Sequence, residues 1–258
     1  MTLTDANYYS HEANQEYMSV SQFKSFLKCE AAAMAELSGE YVRPKTTALL
    51  VGSYVDAWFE GTLDSFKQSN PEIYKQNGTL KSDYIHAERI IERVSRDMVF
   101  MDYMSGEKQR IFTGNLFGAP WKIKVDSWFA DKLVDLKVMR TLEPIMGKPF
   151  IEHWGYDLQG AVYQTVEGGN KPFFIAAVTK EDPADLAVIS IPQCVLEDAL
   201  EYIRFRMPHI LAVKHGAIEP ERCGVCPYCR ATKVLTGTVN MEDVGYSTKQ
   251  LKQMRGEA

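Results

Sequence analysis

The spacing of apolar positions divides the chain into helical and extended stretches. Over residues 20–37, Phe23, Phe26, Leu27, Met34 and Leu37 recur at helical intervals, and Ser19 or Ser21 stands in front of them as a cap, so one helix is predicted there. Residues 46–60 predict a second helix, with Leu49, Leu50, Tyr54, Ala57 and Trp58 on its apolar side and Gly61 as its stop. A third is predicted over residues 82–101. The period then changes. Residues 110–112 and 121–129 read as strands joined by a turn containing Gly118, Ala119 and Pro120, and residues 133–138 read as a third strand. In the second of these, Ile123 and Val125 alternate with Lys122, Lys124 and Asp126. Helical spacing returns over 150–166, strands over 172–179 and 186–191, and a long helix over 192–214 with a kink expected near Pro208. The expected architecture is an α/β core with a helical N-terminal arm. No internal repeat or linker divides it, so one domain spanning 1–258 is expected, with its core at about 17–233 and a polar, loosely ordered tail at about 238–258.

Composition narrows the classes. The chain has 258 residues, 45% hydrophobic and 24% charged, enough to bury a core without disulfides. No apolar run is long enough to cross a bilayer, and the first ten residues lack the basic start and apolar stretch of a secretory signal. A cytoplasmic protein with no membrane partner is expected. The net charge of −5 excludes a strongly basic DNA coat but not a nucleic-acid enzyme, which needs only a local positive channel. With no export signal and five cysteines, an odd number, a disulfide framework is disfavoured.

The candidate chemistry begins at Asp126, Asp135 and Lys137. Residues two apart on a strand share a face, so Asp135 and Lys137 lie side by side, and a neighbouring strand can bring Asp126 alongside. Two carboxylates and the Leu136 carbonyl make a hard oxygen site suited to Mg²⁺ or Mn²⁺. An adjacent lysine can meet the attacking water or the charge building on phosphorus. Taken alone, D-x-K equally describes a surface ion pair, and its order with the neighbouring motifs is what adds specificity.

The run Lys124-Val-Asp126, Val134-Asp135-Leu136-Lys137, followed by Tyr156-Asp-Leu-Gln159-Gly-Ala-Val-Tyr163, resembles the RecB-type branch of the PD-(D/E)xK nucleases. More narrowly it is similar to the phage and prophage RecE-like exonucleases. Their Q-x-x-x-Y element follows the D-x-K strand, and Gln159 and Tyr163 match it on one helical face. The resemblance implies a central mixed β-sheet flanked by helices and a Mg²⁺-dependent deoxyribonuclease acting from duplex ends. Catalytic roles fall on Asp126, Asp135, Lys137, Gln159 and Tyr163, and metal-ligating roles on Asp126, Asp135 and Leu136. It further implies a ring-like homo-oligomer and a single-strand annealing partner in phage recombination. The family's upstream G-x-x-x-H-x-x-x-E corresponds to Gly52, Asp56 and Glu60, with Asp56 in place of the histidine; a carboxylate is a harder ligand, so Asp56 is expected to bind the metal. Glu107, at the start of the first strand region, reads as a solvated glutamate.

Cys223, Cys226 and Cys229 have two-residue gaps that let thiolates turn onto one metal or cluster, with Cys29 as the natural fourth ligand. The segment from Ser19 to Cys29 resembles the S-x-S-x-x-x-x-F-x-x-C start of nucleases with an AddB-like iron–sulfur clasp. That resemblance implies a 4Fe–4S cluster; zinc is the alternative, because the late spacing is tighter than the family's. Cys194 reads as a core residue. The five histidines form no zinc-hydrolase spacing, and there is no G-x-x-x-x-G-K-S/T loop or G-x-G-x-x-G turn, which disfavours a motor or a nucleotide-dependent redox enzyme. A CRISPR-associated RecB-like trimming nuclease and a non-catalytic DNA-end or assembly module remain open beside the exonuclease reading.

Overall fold

In a computed structural model of the chain, residues 1–238, 240–246 and 248–256 are described. The elements are α1 (His11–Glu16), α2 (Val20–Lys28), α3 (Glu30–Ser38), α4 (Thr47–Glu60), α5 (Leu63–Ser69), α6 (Ser82–Ser95), α7 (Met98–Tyr103), β1 (Glu107–Leu116), β2 (Ala119–Trp128), β3 (Leu133–Met139), α8 (Phe150–Trp154), α9 (Tyr156–Glu167), β4 (Phe173–Thr179), β5 (Leu186–Ser190), α10 (Gln193–Lys214), α11 (Pro227–Ala231) and α12 (Thr248–Met254). Contacts divide the chain into two compact units, one of residues 1–43, 115–121 and 203–258, the other of residues 44–114 and 122–202.

The second unit is built on a mixed sheet of order β1-β2-β3-β4-β5. β2 and β3 are antiparallel, β3 and β4 run parallel with Asp135 opposite Ile175, and β4 and β5 are antiparallel. A parallel neighbour requires a crossover, and α8 and α9 supply it between β3 and β4. Each face carries its own apolar layer. Val134, Leu136, Ala176 and Val178 pack against Tyr54, Val55 and Phe59 of α4 and Ile90, Ile91 and Val94 of α6. On the other side α9 lies close to β4: a Cβ on Gly160 would stand 2.6 Å from the Phe173 ring and 2.8 Å from Leu196. The α/β fold is the one expected from the order of elements, and the mixed sheet flanked by helices is the one the sequence resemblance implies.

In the first unit, the hairpin tip is held to the N-terminal segment. Met18 donates its N–H to the Pro120 carbonyl at 2.8 Å, and the Trp121 ring meets Phe23 at 6.1 Å. Lys214, near the end of α10, donates to Gln22 Oε1 at 3.0 Å. The first N–H groups of α3 have no partner inside the helix, and Ala31 N–H is met by the Glu221 carbonyl at 3.1 Å.

Several elements differ from the periodicity. The helix predicted over 20–37 is two, broken at Cys29, whose backbone is extended (φ −166°). The one over 82–101 breaks where the Asp97 side chain caps α7 through Phe100 N–H at 2.9 Å. The one over 150–166 breaks at Gly155, which takes a left-handed turn. The hairpin turn is Phe117–Gly118, both at positive φ, with Ala119 and Pro120 already inside β2. On α4 the buried face is Leu50, Val51, Tyr54, Val55, Ala57 and Phe59, whereas Leu49 is exposed. Cys194 is exposed at the start of α10 and is not a core residue. Of the polar tail, residues 239, 247, 257 and 258 lie outside the described residues; the rest includes a short 3-10 turn and α12, whose Lys252 pairs with Glu221 at 2.6 Å.

Candidate active site

β2 and β3 are paired at Ser127–Val134 and Trp128–Leu133. One residue further along, the Asp126 side chain enters between the strands, and its Oδ2 accepts the Leu136 N–H at 2.8 Å. The β3 main chain fixes which way its groups point. Leu133 N–H bonds the Pro172 carbonyl and the Met139 carbonyl accepts from Lys180, so the odd-numbered residues of β3 turn their polar backbone toward β4. By the alternation of a strand, the Leu136 carbonyl faces the β2 side together with its N–H, beside Asp126.

Asp135 and Lys137 share the opposite parity and are in contact. Lys137 Nζ forms an ion pair with Asp135 Oδ2, and Asp135 is only 2% exposed. Gln159 Nε2 donates to Asp135 Oδ1 at 2.5 Å. That reach depends on how near α9 lies to the sheet, which the bare Gly160 permits. Tyr163 lies one turn on; its hydroxyl donates to the Lys124 carbonyl at 3.1 Å and its ring stands edge-on to Phe173. The Tyr156 ring stands 5.2 Å from Lys137 Nζ.

Asp56 reaches the same charges from α4. It lines a cavity of about 230 Å³ with Gly52, Ser53, Leu136 and Val138. Burial, then the Glu60 charge, pushes its carboxyl up to about 7; Asp135 adds to this, and Lys137 and Lys124 oppose it. Burial, then Asp135 and Asp56, likewise drives Asp126 well above the usual carboxylate range. For Lys137, burial favours the neutral amine, but Asp135 and Asp126 outweigh it and hold the ammonium above its ordinary value. Glu107 is exposed and paired with Arg110 at 2.6 Å.

Two residues of the site carry no signal in the sequence. Gln109 lies in β1 with φ +52°, a left-handed strand residue that breaks the alternation. Its amide donates to Asp126 Oδ1 at 3.2 Å. Lys108 precedes it, and its Nζ is buried over the Phe59 ring at 5.9 Å without a hydrogen-bond partner among the described residues. Burial lowers its pKa, against the pull of Asp126 and Asp56. The constellation thus brings together the Asp56, Asp126 and Asp135 carboxylates, the Leu136 carbonyl, and Lys137 and Lys108. Its donors are all hard oxygens, which suits Mg²⁺ or Mn²⁺. Both Asp135 oxygens are engaged by Lys137 and Gln159, so the carboxylates would have to draw in around an ion.

The cysteines form a separate group within the first unit. The sulfurs of Cys29, Cys223, Cys226 and Cys229 all lie within 4.8 Å of one another. Cys29 Sγ is 3.5 Å from Cys229 Sγ, and Cys223 Sγ is 4.0 Å from it. Backbone amides point at two of them: Cys226 N–H at Cys223 Sγ (3.3 Å) and Cys229 N–H at Cys226 Sγ (3.4 Å). Burial pushes the Cys29 thiol up to about 12. Burial acts the same way on Cys223, but the Val225 and Cys226 amides outweigh it and bring the thiol down to about 7.

Residues 19–232 match the family described as "PDDEXK-like domain of unknown function (DUF3799)". A crystal structure of a Eubacterium rectale protein, described as "Putative exonuclease", superimposes with a TM-score of 0.91 at 47% identity, covering 95% of this chain and 98% of that one. A second solved structure, SSO0001, aligns over 84% of this chain and 97% of its own at 15% identity; its TM-score of 0.32 is too low to carry an argument. No curated protein matches the sequence.

Proposed function

Since the chain belongs to the PDDEXK-like domain family, we propose that it is a metal-dependent DNA exonuclease that hydrolyses phosphodiester bonds from duplex ends. The observation that carries this reading is the meeting of Asp126, Asp135, Lys137 and Gln159 where β2 and β3 part. The likeness to a protein described as "Putative exonuclease" supports the same reaction class. Asp126, Asp135, Asp56 and the Leu136 carbonyl would hold Mg²⁺ or Mn²⁺, which when bound supplies charge stabilisation at the phosphoryl group and makes the attacking water more acidic.

The chain's own residues do the rest. Water oxygen bonds to phosphorus as it gives up one proton to bulk solvent, the ester P–O bond breaks, and the leaving oxygen takes up one proton from solvent, so that no proton is consumed overall. Lys137, held charged by Asp135 and Asp126, serves as a donor to the phosphate and not as the base. Gln159 fixes the Asp135 carboxylate, and Tyr163 steadies β2 through the Lys124 carbonyl, so both are positioning residues. Lys108 adds a second positive charge near Asp126 and Asp56. The resemblance in sequence supports duplex ends as substrate, a homo-oligomer and a single-strand annealing partner.

End-labelled linear duplex incubated with Mg²⁺ should be degraded, and a covalently closed circle should not. Lys137→Ala and Asp135→Asn should each slow degradation on the order of 10²-fold or more while the circular-dichroism spectrum stays unchanged. Equal loss of the circle would exclude the end requirement. Near-parental activity in either variant would remove this site.

A further inference from the structure

We propose that Cys29, Cys223, Cys226 and Cys229 bind one zinc ion per chain as a closed tetrahedral thiolate site, and not the 4Fe–4S cluster that the sequence resemblance implies. The sulfur spacing separates the two. Four thiolates on a single zinc, each at about 2.3 Å, stand about 3.8 Å apart at the corners of a tetrahedron. A cubane puts each thiolate on a different iron, which spreads the sulfurs to about 6 Å. Here the sulfurs are 3.5 and 4.0 Å apart in two pairs and within 4.8 Å in all.

Neither side of the group is free to open by the difference. On the late side, the two amide-to-sulfur contacts at 3.3 and 3.4 Å fold Cys223, Cys226 and Cys229 inward, and Cys226 is itself the cap of α11. Arg222 reaches the Cys229 and Thr232 carbonyls at 3.4 and 3.5 Å across the same turn. On the early side, Cys29 sits in the break between α2 and α3. Its neighbours are tied down by Ala31 N–H to the Glu221 carbonyl (3.1 Å), by Glu221 N–H to Glu30 Oε2 (2.9 Å) and by His209 to Glu30 Oε1 (2.7 Å). Four soft thiolates on one centre match zinc, and a full ligand set leaves no open position for a substrate or water. The ion is therefore structural. It joins the start of α3 to residues 223–229, and its binding offsets the entropy of closing the long loop from Cys29, a cost that grows only slowly with loop length.

The test is elemental analysis of the full chain prepared without oxygen from cells supplied with both iron and zinc. About one zinc per chain and no absorption near 400 nm is expected. Cobalt exchanged into the same protein should give the visible bands of a tetrahedral thiolate site, at about 700 nm. About four irons per chain with a band near 400 nm, a single iron, or no metal would each overturn the assignment. Cys29→Ser should lower zinc affinity at least about tenfold and reduce the melting temperature, whereas Cys194→Ser, at an exposed cysteine, should change neither. If Cys29→Ser does not fold, the metal count and the cobalt spectrum of the parent protein still decide.

Discussion

Burial and the Glu60 charge push the Asp56 carboxyl from 3.8 up to about 7, so near neutrality a proton would compete with any cation for this position. The sign of the stability effect follows. The folded pKa is raised, so the proton on Asp56 stabilises the fold fully below about 4, and that contribution is lost as pH rises through about 7. Without divalent cation, the melting temperature should fall across this window. Mg²⁺ should raise it more at pH 8 than at pH 6, because at lower pH the cation has to displace a proton. Asp56→Asn should flatten both dependences. A parent protein whose Mg²⁺ response is the same at both pH values would take Asp56 out of the metal site. Asp56 was legible as a candidate because Gly52 and Glu60 bracket it at a recognisable spacing. Lys108 and Gln109 were not, because a left-handed residue inside a strand leaves no trace in hydropathy.

At the scale of elements, α9 reaches the carboxylates because nothing projects from Gly160. A Cβ there would stand 2.6 Å from the buried Phe173 ring and 2.8 Å from Leu196. Gly160→Ala should therefore cost about 1–3 kcal/mol through overpacking, outweighing the gain in helix propensity. It should also slow cleavage at temperatures where the variant is fully folded, since lifting α9 lengthens the 2.5 Å contact between Gln159 and Asp135. Thermal melts and end-release assays measure the two effects; an unchanged melting temperature would mean that Phe173 and Leu196 yield freely. The same scale explains why three predicted helices are each two. Periodicity averages over a window and passes across a single extended or left-handed residue such as Cys29 or Gly155.

For the molecule as a whole, two chemistries are predicted that separate by reagent. EDTA should stop cleavage, and Mg²⁺ should restore it in full. A mercurial should release about one zinc per chain and lower the melting temperature by at least about 5 °C, a loss that Mg²⁺ does not reverse, because metal binding to the folded state adds to folding stability. Calorimetry with zinc release followed in parallel measures this. Zinc release without a fall in melting temperature would deny the cysteines a structural role. No described helix is long and apolar enough to cross a membrane, and with a net charge of −5 any attraction to DNA would have to come from local cations.

The sequence by itself determined the α/β order, the i and i+2 pairing of Asp135 with Lys137, the i and i+4 pairing of Gln159 with Tyr163, and the late cysteine spacing. Each is set by a local period, 2.0 for strands and 3.6 for helices, that residue order alone fixes. Only the tertiary structure decided that the Tyr163 hydroxyl contacts a strand carbonyl, that Lys108 and Gln109 turn toward Asp126, and that the cysteine sulfurs lie within 4.8 Å. Those outcomes depend on how closely separate elements pack and where a strand is broken, and such distances between residues far apart in the chain are not carried by any local period.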